Sequence, residues 1–87
     1  MFDIIFRFQD GTTYVARDNA EDLKPTVEAE IRCLFNGRTT FLEFARDYDD
    51  DMEGAATIYR PAKDLCVVVV VPGRAITDYD VEARWVL

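Results

Sequence analysis

The sequence predicts an α+β domain in two layers: a largely antiparallel sheet of five to six strands with one helix packed on one face, in the order ββαββββ. Three observations predict it. Phe2, Ile4, Phe6 and Phe8 alternate with Asp3, Ile5, Arg7 and Gln9, the period of two that marks a strand with one aromatic face. Leu23, Val27, Ile31, Leu34 and Phe35 recur at helical spacing and form a single apolar stripe. Val67 to Val71 are five successive valines, too stiff at χ1 to favour a helix over a buried pleated strand. Eighty-seven residues hold one hydrophobic core, so residues 1–87 are read as a single globular domain.

After the first strand, Asp10-Gly11 supplies a tight turn, and Thr13-Tyr14-Val15-Ala16-Arg17 has the content of a returning strand, making residues 2–17 a hairpin. Asp18-Asn19 breaks it. Pro25 is tolerated only in a first helical turn, which places the helix N-cap near Glu21 or Asp22, and Asn36-Gly37 ends the helix with a left-handed residue. Glu28 and Arg32 form an acid-first i,i+4 pair on its outer face. Thr39 to Ala45 reads as a third strand, Ala55 to Arg60 as a fourth, Pro61 to Asp64 as a turn, and Leu65 to Val71 as a fifth strand stopped by Pro72-Gly73. In the tail, Tyr79, Val81, Ala83, Trp85 and Leu87 alternate with Asp80, Glu82, Arg84 and Val86, which favours a strand; Thr77 or Asp78 capping a short helix is the alternative.

One helix of roughly fourteen residues covers about 21 Å by 10 Å, enough for two or three strands about 4.8 Å apart. Some apolar sheet surface is therefore left over. The valine strand is apolar on both sides, and Phe41 faces opposite to Leu42 and Phe44, so this surface is expected to be buried by curling of the sheet or by another chain.

Composition removes several chemistries. The chain has no His and no Ser, which takes away the commonest general base, nitrogen metal ligand and hydroxyl nucleophile. Cys33 and Cys66 stand far apart with no CxxC spacing, so neither a zinc site nor an imidazole-activated thiol is expected. The start of the chain lacks a basic segment ahead of an apolar run, and the longest aliphatic run is Val67 to Val71, so neither a signal peptide nor a membrane span is expected and the expected location is cytoplasmic.

Charge is the more specific signal. Seventeen carboxylates against ten cations give a net charge of −7, and Asp47, Asp49, Asp50, Asp51 and Glu53 place five of those charges within seven residues. An anionic protein is repelled by phosphate backbones and anionic lipid, so direct binding of nucleic acid or membrane is not expected. Asp47-x-Asp49-x-Asp51 has the opening rhythm of a calcium loop, yet Met52 and Ile58 stand where such a loop needs Gly and Glu, and no metal or other cofactor is expected. Adjacent aspartates on a loop also lack the separated environments that acid–base catalysis requires.

Two functions then fit the residues. The first is a non-enzymatic binding domain whose acidic loop, with Tyr48 as an aromatic anchor, occupies a basic surface of a larger protein or nucleoprotein complex. Its partner-binding residues are Asp47, Tyr48, Asp49, Asp50, Asp51 and Glu53, extended by Asp78, Asp80 and Glu82. In size, charge and lack of catalytic parts the chain resembles the small acidic inhibitors that phages make against restriction and CRISPR systems, some of them DNA mimics. That likeness of type, with no shared motif, implies occlusion of a nucleic-acid-binding surface; because five charges crowd one loop, a local plug is expected instead of a full duplex mimic. The second is a homodimeric structural or assembly module that uses the open apolar face of the sheet.

Overall fold

A computed structural model of the chain describes residues 1–47, 55–74 and 76–87. The first two strands, β1 (Phe2–Phe8) and β2 (Thr13–Asp18), form the expected antiparallel hairpin, with Ile4 opposite Ala16 and Phe6 opposite Tyr14. Its turn closes because Gly11 adopts a left-handed φ of 89° and the Asp10 carboxylate accepts both the backbone N–H (2.9 Å) and the hydroxyl (2.6 Å) of Thr12.

The helix, α1 (Pro25–Phe35), starts later than the spacing suggests, with Lys24 at its N-cap and Pro25 in the first position. Proline's fixed φ suits that position and clashes one turn further in, so Glu21 and Asp22 lie outside the helix, while Leu23 still packs against the core. Only Val27 and Leu34 are fully buried from the stripe; Ile31 is half-buried and Phe35, at the last position of the helix, is 54% exposed. Arg32 donates to Glu28 at 2.7 Å on the solvent side, as expected. Asn36 follows the helix and Gly37 takes φ of 81°.

The next strands are β3 (Phe41–Asp47) and β4 (Ala55–Pro61), an antiparallel pair that sets Phe44 opposite Ile58 and Asp47 opposite Ala55. A single 3-10 turn at Ala62–Asp64 leads into β5 (Leu65–Pro72), antiparallel to β1. On the far side of β2, β6 (Val81–Glu82) lies parallel to it, and β7 (Arg84–Val86) turns away to pair antiparallel with β3. The tail is therefore extended from Val81 onward.

One sheet of five to six strands was expected; the strands form two sheets, ordered β5-β1-β2-β6 and β4-β3-β7. The split falls at Ala83, which joins β6 to β7, is 7% exposed and donates its N–H to Val15 O at 3.0 Å. One extended stretch thus edges both sheets, and their inner faces fold onto each other as the two layers of one core.

Aromatic side chains fill the space between them. Phe6 meets the edge of Phe44 and of Trp85, each at 5.1 Å between ring centroids, and Tyr14 lies 5.0 Å from Phe44. Perpendicular rings bring a positive edge to a negative face, which adds to the area they bury. Leu42, Phe8 and Ile4 complete the layer, with Val27 and Leu34 of the helix across its open side. Phe41, on the other face of β3, is 54% exposed and lies 5.9 Å from Tyr59, as the alternation anticipates.

The valine strand departs most from expectation. Buried surroundings were expected, yet β5 is the border of its sheet, with Val67, Val69 and Val70 exposed by 41%, 43% and 38%. The reason is topological: the crossover carries the chain away before another strand can pair on that side.

Truncating Phe44 to Ala is expected to cost about 3–5 kcal/mol, while Phe41→Ala changes stability by no more than about 0.5 kcal/mol. Urea unfolding of both variants measures the contrast, and equal costs would contradict the inward and outward faces assigned to β3.

Candidate functional site

The candidate sites that the sequence singles out are surfaces. The β3–β4 hairpin defines the first. Its two strands are paired out to Asp47 and Ala55, so the acidic run is the connection between their far ends. Tyr48, Asp49, Asp50, Asp51 and Glu53 lie outside the described residues; Asp47 closes β3. Among the described residues, no three His, Cys, Asp or Glu side chains group in a way that could hold a metal ion.

The other three expected partner-binding residues are near one another, in and beside β6, but two of them serve the fold. Asp80 accepts the Thr13 N–H through its carboxylate at 2.8 Å and donates its own N–H to Thr13 O at 2.9 Å, which fastens the crossover to β2. Glu82 accepts from the Tyr79 hydroxyl at 3.1 Å and stands 3.6 Å from Arg17 Nε. Asp78 is exposed in the irregular segment that precedes them.

Under that crossover lies a polar group the sequence did not single out. Asp3 is fully buried on the face of β1 opposite to the aromatic core, 3.8 Å from Arg17 Nε, and neither carboxylate oxygen has a hydrogen-bond donor among the described residues. Arg17 spans four partners: it lies beside Asp3 and Glu82, donates to Ile76 O at 3.0 Å, and stacks its guanidinium 5.4 Å from the Tyr79 ring. Its planar head can serve such a divergent set at once. The only sequence hint was an acid at an alternating position otherwise suited to an exposed side chain.

A second cluster joins the sheets at the hairpin turn. Arg60 of β4 lies 3.9 Å over the Phe8 ring and donates to Thr12 Oγ1 (3.1 Å), Tyr14 Oη (3.4 Å) and Asp10 Oδ2 (3.0 Å). Burial opposes its charge, but the Tyr14 hydrogen bond and the Asp10 carboxylate outweigh that and raise its pKa. The two Thr12 hydrogen bonds, with Arg60 behind them, hold Asp10 below its usual value. On the outer face of the second sheet, hydrogen bonding to Glu43 raises the Tyr59 pKa.

An open groove of about 550 Å³ runs between the end of α1 and the start of β5, lined by Leu34, Phe35, Pro61, Ala62 and Leu65 among others. No carboxylate lines it, so it has no acid–base pair to offer a bound metabolite. Cys33 is half-buried and Cys66 exposed, both as free thiols. Among the described residues, no helix is long and apolar enough to cross a membrane.

Two measurements test these clusters. Removing Arg17 as Arg17→Met leaves Asp3 buried beside no cation and is expected to cost about 3–5 kcal/mol, most of it recovered by adding Asp3→Val; a double-mutant cycle in urea reads the coupling, and simple additivity would refute it. Because the Asp10 pKa is depressed on folding, its contribution is complete above the unfolded value of 3.8 and fades as pH falls through the lower folded value. The stability difference between wild type and Asp10→Asn should therefore be flat above that pH and shrink below it. No protein-family model, curated protein or solved structure matches the chain, so residues and geometry carry the functional reading.

Proposed function

We propose that this chain is a non-enzymatic binding domain that places an acidic hairpin end against a basic surface of a larger protein or nucleoprotein complex, in the manner of a phage-type inhibitor of restriction or CRISPR machinery. The observation that carries the reading is the junction of charge and topology. Four of the five clustered carboxylates, Asp49, Asp50, Asp51 and Glu53, lie in the sequence between the paired ends of β3 and β4, and the fifth, Asp47, ends β3. The remaining eighty residues carry a net charge of only −2, and several of their acids are engaged in holding the fold. Charge concentrated within one short stretch guides encounter with a basic patch and sets orientation there, and an aromatic neighbour such as Tyr48 then adds contact area. Occupying a surface that otherwise binds phosphate blocks it without any bond being made or broken.

A second reading, a homodimeric assembly module, is favoured by a different observation: the exposed valines along the open border of β5. Here the acidic end is a solubility device and the sheet is the working surface.

Capture from a lysate of the native host on the immobilised chain tests the first reading. A basic partner is expected that elutes as salt rises from about 0.1 to 0.5 M, where the Debye length falls well below 10 Å. Substituting Asp49, Asp50 and Asp51 together by Asn should abolish retention. Undiminished retention by that triple variant overturns the acidic-surface reading.

A further inference from the structure

The border of β5 has a direction, a length and a midpoint, and together these identify what pairs with it. Its inner side is bonded to β1. Gly73 donates to Met1 O at 2.9 Å, and the register pairs Asp3 with Val71, Ile5 with Val69 and Arg7 with Val67. Antiparallel ladders alternate, so these odd-numbered residues turn their N–H and C=O toward β1, and Val68 and Val70 turn theirs to the open side. Pro72 obeys the same rule: its missing N–H falls on the open side, the place a border strand tolerates proline.

The open side is bounded at both ends. Toward the start of β5, the register shifts between Arg7 and Phe8, which pair with Val67 and Leu65 and leave Cys66 as the extra residue of a bulge. Toward the end, Pro72 cannot donate. The regular, bonding-competent stretch is therefore Val67–Val71, and its midpoint is Val69.

We propose that this stretch pairs with a second copy of the chain, antiparallel, about a two-fold axis at Val69. This deepens the assembly reading and rests on it. In that register Val68 exchanges both backbone hydrogen bonds with Val70 of the other copy, and Val70 with its Val68, which satisfies every open N–H between the bulge and the proline. Val67 meets Val71 of the other copy on the outer face. A run of identical side chains reads the same in both directions, the self-complementarity that a two-fold interface demands.

Charge also selects a second copy over a basic partner. No charged side chain lies between Asp64 and Arg74, so two chains of net charge −7 meet where their repulsion is least. At each end, Lys63 and Asp64 of one copy adjoin Arg74 of the other, and no carboxylate faces a carboxylate. A strongly basic ligand finds nothing on this border to pair with. Natural sheets usually protect a border with lysines or inward charges; β5 has neither along its open stretch.

Site-specific cross-linking tests the register. In the full chain with Cys33 and Cys66 replaced by Ala, Val69→Cys sets two thiols in a pair with Cα atoms about 4.5 Å apart, inside disulfide range. Air oxidation is expected to convert most of it to covalent dimer. Val67→Cys, whose counterpart lies about 13 Å away along the ladder, should remain uncrosslinked. Sedimentation across a concentration series should show a dimer insensitive to salt, weakened at least about tenfold by Val69→Glu, which brings two carboxylates together at the axis. Circular dichroism verifies that each variant is folded, and Val69 is exposed enough that the free chain tolerates the change.

A chain that stays monomeric at every concentration overturns both this inference and the assembly reading. A dimer in which Val69→Cys fails to cross-link, or in which Val67→Cys cross-links equally, overturns the β5 pairing alone and leaves assembly to another surface.

Discussion

Phe6, Phe44 and Trp85 come from three strands that no local rule brings together, and the contact among them depends on how the chain ends. β6 borders one sheet and β7 the other, with a single alanine between them. A larger residue at Ala83, 7% exposed and bonded through its N–H to Val15, would push the sheets apart. With Ala83 in place, the inner faces approach closely enough for edge-to-face rings, and the helix needs to cover only the gap that remains. The layers of this small protein are thus held by one shared stretch and one aromatic cluster.

Polar groups then fix what the aromatics leave loose. Arg60 ties β4 to the turn of the first hairpin, and Arg17 ties the crossover to the outer face of β1 and β2. Both arginines combine stacking with hydrogen bonding, which the planar guanidinium supports and a lysine does not. Asp3, Asp10, Asp80 and Glu82 are their partners or lie beside them in the same fastenings. The acids are therefore not one population: Asp3, Asp10, Asp80 and Glu82 brace the fold, whereas Asp49, Asp50, Asp51 and Glu53 cluster in the sequence between β3 and β4.

Two candidate surfaces follow, and they are physically unlike. The acidic run is charged and follows β3 of the second sheet in the sequence; the β5 border is apolar, carries backbone groups that no described strand pairs, and belongs to the first sheet. A contact at one leaves the other open. Charge acts over a Debye length and mainly governs encounter and orientation, whereas strand pairing acts only at contact and governs persistence. A paired molecule would carry two acidic ends, which increases the effective concentration of the second once the first is bound.

Local pattern was enough for most elements. Alternation found β1, β2, β3, β4 and the extended tail, and the valine run found β5, because side chains on opposite faces of a strand meet different surroundings within a few residues of each other. The helix was found as well, although its start was misplaced: a proline limits where a helix can begin without saying whether an earlier acid or the adjacent lysine becomes the cap. The high charge density near Asp49 was also plain in the letters. Only tertiary structure decided that the strands divide into two sheets, that a valine-rich strand stands at a border, that Asp3 is buried, and that Asp80 and Glu82 brace a crossover. Those outcomes depend on which distant segments arrive beside a residue, and an amino-acid pattern records the character of a face without recording what covers it.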